Sequence, residues 1–141
     1  MPVEFAAFKN FRDSIHDTGL HAGLFALLDM ARILSEGTDA LKLGFGKLGS
    51  NPAMAEDDAL AVRKSERNVE KAYRKALSTL FQAEPHVVHI QQSKEASMEA
   101  RVMNRVAEIF KRRELYRHLS NAGDQVAKAG SVLHDIVVQV S

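Results

Sequence analysis

Leucine returns at every seventh position from Leu27 through Leu34 and Leu41 to Leu48. Seven residues are close to two turns of an α-helix, so these side chains form one stripe along a single face. A strand cannot use such spacing, because its faces alternate every second residue. Leu24, Ala31, Thr38 and Phe45 occupy the companion register of the same pattern. The spacing predicts a helix from about Leu20 to Leu48, with Gly37, Gly44 and Gly46 weakening its second half. Gly49-Ser50-Asn51-Pro52 is a clear stop.

The same periodicity covers nearly all of the 141 residues, and no long segment alternates with period two. A short first helix is expected from about Val3 to His16, with Phe5, Phe8, Phe11 and Ile15 along one side. A further helix is expected from about Ala55 to Gln82, its first turns carrying Glu56, Asp57 and Asp58. A break is expected around Glu84-Pro85, with His86 and His89 in a loop or helix start. The last helical pattern runs from about Ser93 to Val140, with Gly123 and Gly130 as places for a bend. One of its registers reads Ile109, Tyr116, Gly123, Gly130, Val137, and the other Arg112, Leu119, Val126, Leu133, Val140. Glycine in a helix interior costs about 1 kcal/mol relative to alanine. Two of them at seam positions, amid Ala122, Ala127 and Ala129, point to the close approach of another helix. The expected fold class is all-α: one domain over residues 1–141, an antiparallel bundle of long helices. Three main helices bury less than four, so a homodimer is expected to complete it.

Composition removes several functional classes. Nineteen basic and eighteen acidic residues give a net charge of +1, too balanced to argue for nucleic acid or an anionic membrane. There is no cysteine, hence no thiolate nucleophile, disulfide or zinc–cysteine site. The apolar runs fall far short of the roughly 20 residues a membrane span requires. The N-terminal residues do not read as a signal peptide. A cytoplasmic location is the expectation. No phosphate-binding glycine loop, nucleophile elbow or His-Glu-x-x-His is present, so no enzyme is expected.

The chemistry-bearing positions are carboxylates. Glu66 falls on the register Ala59, Glu66, Tyr73, Leu80, inside the predicted seam, beside Val62, Val69 and Ala76. Glu70 stands one turn further along. A carboxylate in a seam is costly unless paired, so either it reaches solvent or a cation holds it. Oxygen ligands at i and i+4 suit magnesium, calcium, manganese or iron; the alternative is ordinary ion pairing with Arg63, Arg67, Lys71 or Arg74. Glu114, His118, Asn121 and Asp124 form a second, weaker constellation lying off the seam. Lys111-Arg112-Arg113 is a short basic cluster, and His16, His21 and His134 are scattered.

The stretch from Phe110 to Asp124, running into Val132 to Val138, resembles the end of the PhoU-like family of phosphate transport regulators. The resemblance extends upstream to Glu66–Glu70 and Ala72–Phe81, about half of the chain. It implies a bundle of three-helix units, of which this chain resembles one, and a soluble regulator or accessory that associates with Pit-type phosphate permeases. The family's Glu/Asp-x-x-x-Asp pairs hold metal clusters. Here the upstream pair corresponds to Glu66 and Glu70, while the downstream pair is Ser120 and Asp124, so one carboxylate is missing. The implied metal ligands are therefore Glu66, Glu70 and Asp124. The leading expectation is a non-enzymatic phosphate-transport accessory; the alternatives are a metal-binding carboxylate bundle and a structural oligomerisation module.

Overall fold

Asn51 and Pro52 set the geometry of the first turn. The Asn51 side chain accepts a hydrogen bond from the Met54 amide at 3.3 Å, and Pro52 opens the helix that follows. A proline is tolerated there because the first-turn amides have no intrahelical acceptor. The computed structural model describes residues 18–95 and 97–141. Within them lie α1 (Thr18–Lys47), α2 (Pro52–Leu80), α3 (Ala83–Gln92) and α4 (Met98–Val140), and no strand among the described residues. The helix expected over Val3–His16 lies outside the described residues. α4 is one continuous helix of 43 residues, capped by Ser97, whose hydroxyl accepts from the Ala100 amide. At about 1.5 Å per residue it is roughly 65 Å long, and neither Gly123 nor Gly130 interrupts it.

The break expected around Glu84-Pro85 falls slightly earlier, at Phe81 and Gln82 between α2 and α3. The proline stands at the third position of a ten-residue helix, where its missing N–H costs no hydrogen bond. His86 and His89 are therefore helical.

Helix directions follow from which residues meet. Gly123 and Gly130 of α4 face Val69 and Val62 of α2, so these two helices run antiparallel. Gly37 and Gly44 of α1 face Ser65 and Asp58 of α2, again antiparallel. The same two glycines face Val126 and Leu133, which makes α1 and α4 parallel. The three long helices thus form an up-down-up bundle, with α3 carrying the chain back toward the start of α4.

The glycines are where the helices come closest. A methyl group on Gly130 would stand 2.6 Å from Val62 Cγ1, and one on Gly123 would stand 3.1 Å from Val69 Cγ1. The close approach expected at these two positions is what the structure shows. On α1 the expected companion register is wrong. Ala31, Thr38 and Phe45 are exposed, while Gly23, Met30, Gly37 and Gly44 form the buried line. The glycines that looked like weak points are contact points. Gly37 admits the Ser65 side chain, whose hydroxyl donates to the Ile33 carbonyl at 2.7 Å in a buried bond between α2 and α1.

The core divides along the bundle axis. One cluster holds Met30, Ile33, Val69, Ala76, Leu80 and Tyr116, flanked by Leu27, Leu34, Tyr73, Leu77 and Leu119. The other holds Ala55, Ala59, Leu133 and Val137, flanked by Leu41 and Leu48. An ion pair, Lys47 Nζ to Asp58 at 2.7 Å, and a hydrogen bond between His134 Nδ1 and Glu56 at 2.7 Å tie the second end. The acidic residues at the start of α2 thus bridge to α1 and α4 as well as facing the helix N-terminus.

Candidate functional site

The α2 seam is Ala55, Val62, Val69 and Ala76, closed by Ala59, Ser65 and Leu80, all buried. Glu66 stands on the shoulder of this seam and is half-buried. It has no hydrogen-bond or ion-pair partner among the described residues. Glu66 keeps part of its surface open to solvent. Glu70 is exposed and accepts from Arg74 one turn along, the ordinary helical ion pair. Asp124 is exposed on α4, next to buried Gly123, and Ser120 is half-buried. Among the described residues no group of three or more histidines, aspartates and glutamates is arranged to hold a metal ion. Glu66, Glu70 and Asp124 are thus not gathered into such a set.

The C-terminal constellation resolves into surface chemistry. Glu114 pairs with Arg117 at 2.7 Å, while His118, Asn121 and Asp124 are exposed. His134, which carried no signal in the sequence, pairs with Glu56 across helices. Its partner lies 78 positions away, beyond the reach of any local pattern.

The best-organised polar cluster is one the sequence reading missed. Arg105 is only 3% exposed. Its Nε donates to His86 Nδ1 at 2.8 Å, and its Nη1 donates to Glu108 at 3.1 Å. Since His86 Nδ1 accepts, the proton lies on Nε2, which donates to the Leu80 carbonyl. The other oxygen of Glu108 accepts from Arg112, whose guanidinium packs on Gly23 of α1. One run of hydrogen bonds therefore connects the C-terminal end of α2, α3 and α4, and its last member packs against α1. A buried guanidinium is tolerated only when its donors are satisfied, and this network supplies acceptors. Its signal was present: Arg105 and Arg112 continue the register Leu119, Val126, Leu133 toward the N-terminus of α4.

Tyr116, 2% exposed, lies in the core at the same end. Burial pushes its phenol above the ordinary range, and the charge of Arg112 partly opposes the shift. No acceptor for its hydroxyl is found among the described residues. These arrangements hold helices in register; they do not pair a nucleophile with a base. No described helix is long and apolar enough to cross a membrane. Compared with protein-family models, with curated proteins and with solved structures, the chain matches none.

Proposed function

We propose that this chain is a non-enzymatic, PhoU-like regulator or accessory of phosphate transport that acts in the cytoplasm through protein contacts. The observation that carries the reading is where the resembling segments lie. Glu66–Phe81 falls almost wholly on α2, and Phe110–Val138 falls on α4. These two helices pack antiparallel through Val69–Gly123 and Val62–Gly130. The resemblance therefore covers one packed unit, not scattered surface segments. A near-neutral charge and an up-down-up bundle suit recognition of a protein partner.

The test is capture by the cytoplasmic segments of a Pit-type permease, paired with phosphate uptake in cells lacking this chain. Specific capture and altered uptake are expected. No capture together with unchanged uptake would overturn the reading.

A second reading, a metal-binding carboxylate bundle, rests on Glu66, half-buried and without a described partner. Metal analysis of protein purified without added ions decides it. Stoichiometric metal lost on Glu66→Ala and Glu70→Ala supports it, and metal-free protein rules against it.

A further inference from the structure

Val102, Val106 and Phe110 stand four residues apart on α4, and with Met103 they form an exposed apolar stripe. Met103 is 65% exposed and Phe110 57%. This part of α4 lies at and beyond the end of α2. Continuing the antiparallel step from Val69–Gly123 brings Leu80, the last residue of α2, about level with Arg112. Among the described residues, α3 with its bond to Arg105 and the first turns of α1, which reach Arg112 at Gly23, stand beside α4 there.

The charges on the stripe are arranged symmetrically. Glu99 and Arg113 lie seven residues on either side of Val106, so the three residues fall on one line of the helix. Both charged residues are exposed, and neither has an ion-pair partner among the described residues. Read in reverse about Val106, the stripe carries the opposite charge at each end and an apolar residue opposite each apolar one. An acidic or basic partner would match one end and be repelled by the other. A second copy, reversed, matches both.

We propose that this stripe is the two-fold interface of a homodimer, two α4 helices crossing antiparallel about Val106. Val106 then meets its counterpart at the axis, Val102 meets Phe110, and Glu99 meets Arg113 twice over. Such self-complementary contact is what a two-fold axis requires. From Glu99 to Arg113 the stripe is about 21 Å long, small for an obligate interface, so the dimer is reversible. It stands independently of the phosphate-transport reading, which needs only a protein partner.

Sedimentation equilibrium of the full chain tests the proposal. A monomer–dimer equilibrium is expected, with Glu99→Arg or Arg113→Glu alone weakening it about 5-fold. The double variant should return to within about 2-fold of the parent, because the reversed pair is again complementary. Val106→Lys should give a monomer whose helical circular dichroism is unchanged, since Val106 is surface-accessible. The chain has no cysteine, so Val106→Cys reports directly. It should oxidise to a disulfide-linked dimer at least about 10-fold faster than Val138→Cys, an exposed control far along the same helix. A chain monomeric at about 100 µM, far above the working range of a specific dimer, would overturn the proposal. So would a dimer that survives Val106→Lys, or a charge-swapped double variant no better than the single ones.

Discussion

Around Tyr116 the three long helices are filled by Met30, Ile33, Val69 and Leu80, whereas around Gly130 the core is Ala55, Ala59, Leu133 and Val137. At the first end large side chains span the gap, and a buried Arg105–His86–Glu108 network closes it. At the second end Gly130 meets Val62 and Gly44 meets Leu133 directly, and a Lys47–Asp58 ion pair and a Glu56–His134 hydrogen bond tie the helices. Large side chains stabilise by the area they bury, and their neighbours relax only partly when one is removed. A glycine contact stabilises by what is missing, so there an added methyl group does the harm. The same bundle should therefore respond in opposite ways to deletion at one end and addition at the other.

The largest expected effect is around Tyr116. Tyr116→Ala should cost about 3–5 kcal/mol in urea unfolding, as loss of a buried aromatic does. Tyr116→Phe should stay within about 1 kcal/mol of the parent or exceed it, because the hydroxyl has no described partner. A large loss on Tyr116→Phe would show that the hydroxyl is bonded after all.

Next comes the polar closure of that end. Arg105→Ala should cost about 2–3 kcal/mol, since it leaves the His86 and Glu108 acceptors without their donor; Glu108 is partly solvated, which keeps the figure down. A cost near zero would mean that the network does not fix α3 on α4.

At the other end, Gly130→Ala should destabilise by about 1–2 kcal/mol despite alanine's better helix propensity. The 2.6 Å approach is to a methyl of Val62, a stiff β-branched side chain that cannot swing aside. Gly46 is the control on α1: a methyl there meets nothing within 4 Å, so Gly46→Ala should stabilise by about 0.5 kcal/mol. If both substitutions stabilise alike, the Gly130–Val62 contact is not the close one described.

The smallest effect is on pH dependence. The folded Tyr116 phenol titrates above its unfolded value, so its contribution to stability is full below about pH 10. As pH rises further the unfolded chain ionises first and stability falls, and the loss is complete once the folded phenol has ionised too. In a Tyr73→Phe background Tyr116 is the remaining tyrosine, and its 295 nm absorbance should lag behind that of the urea-unfolded chain. Coincident curves would remove the buried phenol from the picture.

Much of this bundle was legible from periodicity. The expected spans Leu20–Leu48, Ala55–Gln82 and Ser93–Val140 lie close to α1, α2 and α4. The α4 register through Tyr116, Gly123, Gly130 and Val137 is the buried one. The failures have specific causes. The break before α3 lies a few residues ahead of Pro85, because a proline in the first turn of a helix displaces no hydrogen bond and does not itself mark the boundary. On α1 the leucines attracted attention, while the line Gly23, Met30, Gly37, Gly44 makes the closest contacts, because there the neighbours need space. Glu66, expected inside the seam, stands on its shoulder. Its half-burial depends on the angle at which α2 rolls against its neighbours, which a heptad count does not specify. Arg105 escapes a sequence reading because its burial needs His86 and Glu108, and the His86 bond crosses between helices 19 positions apart.

The contrast between the two ends rests most directly on Val62 against Gly130. A double-mutant cycle with Gly130→Ala and Val62→Ala measures it by chemical unfolding. Gly130→Ala should destabilise in the presence of Val62 and be neutral or stabilising once Val62 is alanine, a coupling of about 1–2 kcal/mol. Equal effects of Gly130→Ala in both backgrounds would contradict a bundle packed at this end through direct glycine–valine contact.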